Sequence, residues 1–223
     1  MSGHLARGLV VVVLAIAAAA CGGSKGDASG SAEAKVDLSA MDQLKGLSAD
    51  LQAQLDALMA PINEVDALVE QITSMPQRLN VNASALMGMA KATVDGGQIA
   101  ISADFTADAA VRAEVEGVLG RLKAIVDGLK AIPENTKALA AKAAEAIVAV
   151  PALGAKVTAE ANVKISNPFA KAEEKAQAQA DIQSLAQVQS DVQGSIQQIQ
   201  QKIMELPGLA TSALAKLAAA FAV

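Results

Sequence analysis

The stretch VRAEVEGVLGRLKAIVDGLKAIP, residues 111–133, decides the fold class. Its apolar positions Val111, Val115, Val118, Leu122, Ile125, Leu129 and Ile132 alternate steps of four and three without an exception. That spacing lines one face of an α-helix and lies close to the heptad repeat of helices that pack side by side. A similar seam precedes it, from Leu44 through Leu47, Leu51, Leu55, Leu58, Ile62, Val65 and Val69 to Ile72. A third follows, Ile182, Leu185, Gln189, Val192, Ile196, Ile199, Ile203 and Leu206, with Gln189 its one polar intruder. Faces rich in Gln, Lys, Asp and Glu complete the amphipathic pattern.

All three seams run into a proline: Met75 before Pro76, Ile132 before Pro133, Leu206 before Pro207. Proline lacks the N–H a helix interior needs and crowds the preceding turn, so the sequence predicts long helices that are proline-terminated. Pro61 falls inside the first seam, whose phase survives it, and predicts a kink near Ala60. Ala-rich stretches after the three prolines, roughly 82–93, 134–149 and 209–222, read as shorter packing helices. Two segments with partial apolar/polar alternation, GQIAISADF at 97–105 and AKVTAEANVKI at 155–165, read as short β-strands, each leading through Phe105 or Phe169 into the next long helix. The recurrence is either an internal repeat or a chance likeness among Ala-rich helices. The expected fold is mainly α: an Ala-rich helical bundle of three long and three shorter helices, with two short strands able to pair into a small ribbon packed on helices.

Composition supports that class. Hydrophobic residues make up 52% of the chain but aromatics only 1%, with no Trp and no Tyr, so the apolar mass is Ala, Leu, Val and Ile. Such side chains let helix axes approach closely and offer little to a pleated sheet or an aromatic-lined ligand pocket. The formal charge is −5, and removing residues 1–20 takes away Arg7 and no acid, leaving −6. An acidic surface without basic clusters or aromatic platforms repels nucleic acid, so no nucleic-acid partner is expected. The single His is His4 and the single Cys is Cys21, so everything after residue 21 has neither imidazole nor thiol. Zinc sites of Cys and His, Cys/His pairs and Ser-His-Asp triads all need those groups; no catalytic, cofactor-binding or metal-binding residue is assigned, and a non-enzymatic protein is expected.

The N-terminal residues carry an address. MSGHLARG, with Arg7, precedes the apolar run LVVVVLAIAAAA at 9–20, which ends in four Ala before Cys21. Twelve helical residues rise about 18 Å against a hydrocarbon core of about 30 Å, too short to span it, and the layout is that of a cleaved signal peptide. Ala18, Ala19, Ala20 and Cys21 resemble the lipobox of bacterial lipoproteins, although that family prefers Leu at the first of the four positions, where Ala18 stands. The resemblance covers about a tenth of the chain, and it implies cleavage before Cys21, lipid on its sulfur and, in that family, three acyl chains that hold the protein on a membrane. In the same family an Asp after the Cys marks retention in the inner membrane; Gly22 stands there, which implies the outer membrane.

Residues 22–35, GGSKGDASGSAEAK, are Gly- and Ser-rich without apolar periodicity and read as a flexible tether. The domain reading is therefore 1–20 signal peptide, 21–36 lipidated Cys and tether, 37–223 helical bundle. Within the body, Asp104 and Asp108 beside Phe105 offer two carboxylates, too few for calcium, and helix capping is the better account. Asp95, Gly96 and Gly97 lack the Lys and Ser/Thr of a phosphate-cradling loop and read as a turn. Met41, Met59, Met75, Met87, Met89 and Met204 read mostly as core filler, with Met87, Gly88 and Met89 able to form an adaptable surface instead. Taken together, these residues predict a lipid-anchored helical module of the cell envelope, held to a membrane through Cys21 and docking a protein partner or a second copy. The alternative is a membrane-active, pore-forming-like or lipid-handling protein, for which the apolar segments 138–153 and 209–223 are the motive.

Overall fold

The structure, a computed structural model, describes residues 39–98, 101, 105 and 107–222. Four helices make up the described chain: α1 (Ala40–Leu79), α2 (Ala83–Val94), α3 (Ala109–Ser166) and α4 (Ala172–Ala220). The mainly helical bundle is as the periodicity implies, but the details differ in two ways that have physical causes.

The first difference concerns the prolines. Pro133 and Pro151 lie inside α3, Pro207 inside α4, and Pro61 and Pro76 inside α1, so the long helices do not stop at proline and the Ala-rich stretches after Pro133 and Pro207 are continuations of α3 and α4. In α3 the buried heptad series Val115, Leu122, Leu129, Thr136, Ala143, Val150 and Val157 passes both prolines without a change of phase. Pro133 and Pro151 are exposed, so their rings point away from that seam. A helix-interior proline costs about 3 kcal/mol relative to alanine, whereas each fully buried Leu, Ile or Val contributes about 1.5–3 kcal/mol. Burial of Leu139, Val150, Leu153 and Val157 beyond Pro133 therefore outweighs the proline. Only α1 ends soon after one, at Leu79, where Asn80 adopts the left-handed conformation (φ 52°) and donates its N–H to the Pro76 carbonyl. Only the stretch after Pro76 forms a separate short helix, α2, whose Asn82 Oδ1 accepts the Ala85 N–H at 3.1 Å.

The second difference concerns the strands. Residues 155–165 are the last turns of α3, where Val157 and Ala161 are buried at helical spacing. Their alternation was shallow, every polar position being compatible with an exposed helix face, and continuity with the seam upstream decides the outcome. The other expected strand, 97–105, lies largely outside the described residues; at Gly97, Gln98, Ile101 and Phe105 the chain is not strand. No ribbon is present among the described residues, and the helix, strand, Phe unit is not repeated there.

Cross-helix pairs set the directions. The Ala40 N–H donates to Glu160 Oε2 at 3.3 Å, Lys142 to Gln54 at 2.8 Å, and Arg121 pairs with Glu64 at 3.6 Å, so α1 and α3 run antiparallel. Met41 packs with Leu185 and Val188, and Asp66 pairs with Lys216, so α1 and α4 run parallel. α1 begins level with Glu160, so residues 161–166 of α3 and 172–184 of α4 run on beyond it at that end. There they continue as a two-helix arm over residues 161–184, of which only Ala161 and Ala178 are buried. The opposite end is closed by α2, which touches α1, α3 and α4, with Leu86, Met89, Phe105 and Phe221 in the core. Leu38–Val223 is a compact unit in its own right and holds all of this core.

Candidate functional site

The end of the arm is where the bundle departs most from what packing alone asks for. Pro168 disfavours helical geometry at the residue before it, and Asn167 is extended (φ −70°, ψ 115°), which stops α3 after Ser166. The turn is then built by hydrogen bonds. Asn167 donates its N–H to Val163 O at 3.1 Å and accepts the Phe169 N–H on Oδ1 at 2.9 Å, and Ala170 N–H reaches Asn167 O at 3.2 Å. The Lys171 N–H donates to Glu174 Oε2 at 3.2 Å, while Glu173 and Glu174 sit in the first turn of α4, where the helix dipole favours acids.

This ordered turn holds Phe169 out in water, 93% exposed. The other two phenylalanines, Phe105 and Phe221, are fully buried. Val163, one turn before the end of α3, is 69% exposed, and Lys164 and Lys171 flank the turn and are exposed. Sequence reading placed Phe169 between a strand and a helix and attached no role to it. The signal available was the NPFAK turn itself: a Pro-set turn with an aromatic at its crest and a lysine after it.

Below the tip, Gln189 supplies the one polar contact in the α3–α4 seam. Its Nε2 donates to Val150 O at 3.3 Å. A Cβ on Gly154 would lie 2.0 Å from that nitrogen, so the missing side chain makes the slot in which the amide lies. A carbonyl has two lone pairs, so Val150 O can accept this bond beside its helical one. The arrangement fixes the register of the antiparallel pair at the foot of the arm.

The other residues singled out from sequence take structural roles. Asp108 N-caps α3, its Oδ1 accepting the Val111 N–H at 2.8 Å, whereas Asp104 lies outside the described residues. Asp95, Gly96 and Gly97 end α2: Gly96 has φ 95°, Gly97 donates to Ala92 O at 2.7 Å, and a Cβ on Gly97 would come within 2.8 Å of that oxygen. Met41, Met75 and Met89 are buried, while Met59 and Met87 pack half-buried against the core, so Met87, Gly88 and Met89 do not form a free surface. Met204 is the exception, 74% exposed on α4. Cys21 lies outside the described residues.

Two grooves run between α1 and α3. One, of about 370 Å³, lies where Pro61 meets Gly128 and has the Arg121–Glu64 pair at its rim. The other, of about 470 Å³, is flanked by Asp42, Asp50, Lys142 and Glu145. Both are open furrows between helix ridges. Among the described residues no three of His, Cys, Asp and Glu gather at metal-binding distance. Compared with protein-family models, with curated proteins and with solved structures, the chain matches none.

Proposed function

We propose that this protein is a lipid-anchored, non-enzymatic helical module of the bacterial cell envelope, joined to a membrane through Cys21 and presenting its bundle to a protein partner or to a second copy of itself. The observation that carries the reading is where the bundle begins. α1 starts at Ala40, capped by Ser39, beside Glu160 at the foot of the arm and a few residues after the Gly/Ser-rich stretch 22–35. A lipid on Cys21 would anchor the bundle through the residues that lead into its first helix. Surface ion pairs such as Lys123–Asp127 and Lys137–Glu134 and the exposed Gln rows of α4 give the outer faces a hydrated character, suited to reversible contact.

Mass spectrometry of the mature N-terminus tests the anchor. A diacylglyceryl-modified Cys21 as first residue is the expected result; an unmodified sulfur, or residues 1–20 still attached, refutes it. Crosslinking in cells tests the docking role, and its expected product is a discrete complex or a self-assembly.

One observation favours a second reading. α3 contains a stretch long and apolar enough to cross a membrane by length and composition, of which 33% is buried. The buried part is the seam that forms the core with α1 and α4, which favours a core helix over a membrane span. Leakage of liposomes exposed to the chain from Gly22 onward would reverse that preference.

A further inference from the structure

We propose that the α3–α4 turn is an interfacial membrane contact, with Phe169 entering the headgroup boundary of a bilayer and Lys164 and Lys171 facing its anionic lipids. Three observations converge on it. Of three phenylalanines, the only exposed one crowns a turn that hydrogen bonds hold in place, so its exposure belongs to the fold. An aromatic beside lysines, on a surface whose overall charge is negative, is the pairing that sits at a lipid interface, the ring replacing headgroup water and the ammoniums meeting phosphates. Glu173 and Glu174 are the acids nearest the turn, and both lie at the positive end of α4, one with an oxygen on the Lys171 N–H.

The third observation is one of length. α1 begins level with Glu160, so the tip stands beyond that point by residues 161–166 of α3, about 9 Å, and by the turn itself. On the lipid-anchored reading, the anchor would hold the whole bundle at a membrane. The geometry rests on the lipid-anchored reading; the chemistry of the tip does not. Val148 and Met204 are also exposed, but neither is accompanied by an ordered turn or by lysines on both flanks.

The chain has no Trp and no Tyr, so Phe169→Trp places a single indole at the site. The position is exposed, and the change removes no core contact. The chain from Gly22 onward, which contains the whole compact unit, is made with an N-terminal hexahistidine in place of Cys21. It is held on phosphatidylglycerol vesicles containing nickel-chelating lipid and brominated acyl chains. This synthetic tether works whether or not Cys21 is lipidated in cells, so failure here is distinct from failure of the lipoprotein reading. The expected result is blue-shifted indole emission quenched by the brominated lipid. Each lysine near an anionic surface favours contact about fivefold, so adding Lys164→Glu and Lys171→Glu should lower the contact equilibrium roughly tenfold or more. Emission typical of water and insensitive to bromine would overturn the proposal. So would a blue shift without bromine quenching that grows with surface density, because the tip would then be covered by another copy of the chain.

Discussion

Replacing Pro133 with alanine tests how the long helices are built. Pro133 is exposed in the interior of α3, four residues after Leu129 and three before Thr136, both buried. Its ring removes the N–H that would meet the Leu129 carbonyl and crowds that turn. Because it is exposed, alanine there loses little packing, and the change should recover most of the difference between the two residues in a helix interior, about 3 kcal/mol. Taking a recovered 2–3 kcal/mol and about 2–4 °C per kcal/mol for a chain of this size, the melting temperature should rise by about 4–12 °C. The assay is calorimetry of the chain from Gly22 onward, with far-UV circular dichroism to confirm unchanged helicity. Pro168→Ala is the control: this proline sits in the turn between α3 and α4, outside any helix, where alanine frees the unfolded chain and relaxes the Asn167 backbone, and stability should fall by about 0.4–1 kcal/mol. Had α3 ended at Ile132 and a new helix begun at Pro133, the proline would occupy the favoured first position of that helix. Alanine would then bring no gain, so a Pro133→Ala melting temperature equal to or below that of the native chain refutes the continuous helix.

Thr136 occupies a core heptad position with its hydroxyl oxygen buried and without a hydrogen-bond partner, so Thr136→Val should stabilise by about 1–2 kcal/mol, read as a higher denaturation midpoint at unchanged slope. Leu129→Ala, at a fully buried position, should cost about 2–5 kcal/mol, whereas Leu185→Ala, half-buried at the foot of the arm, should cost roughly 1 kcal/mol; equal losses in urea titration would show that the arm is packed like the rest. Gly117 lies exposed in α3 with open space where a Cβ would stand, so Gly117→Ala should add about 0.5–1 kcal/mol, and a loss of thermal stability there would contradict the helix. Removing the Lys216–Asp66 pair, both side chains more than half exposed, should change stability by less than about 1 kcal/mol in a double-mutant cycle.

The seams were legible because burial follows spacing: Leu122, Ile125, Leu129 and Ile132 were read from sequence as one face and are all buried in α3. What sequence reading missed is the ranking of a local signal against a distributed one. Pro133 is a strong local breaker, but the residues that overrule it, Leu139, Val150 and Val157, lie one to several turns downstream and act only through contact with α1 and α4. The same applies to 155–165, where alternation over a few residues competes with a heptad series that starts forty residues earlier at Val115. Asp108 was legible as a cap because capping is local. The NPFAK stretch marks a turn, but the exposure of Phe169 was not legible, because it is decided by where the two helices turn back in the bundle.

The arm carries a conflict between local and tertiary demands that also accounts for Gln189. Antiparallel helices with Ala and Val at the interface can slide by a heptad with little change in apolar burial, because small side chains interlock weakly. The α3–α4 pair is most exposed to that slip beyond the start of α1, over residues 161–184. Gln189 and Gly154 sit at the edge of that region, and a shift of either helix would leave the amide facing a Cβ and without the Val150 carbonyl. A polar residue in an apolar seam reads from sequence as a defect; placed opposite the glycine, it makes one register better than its neighbours. That register in turn sets the length of the five-residue turn 167–171 and the presentation of Phe169 at its crest.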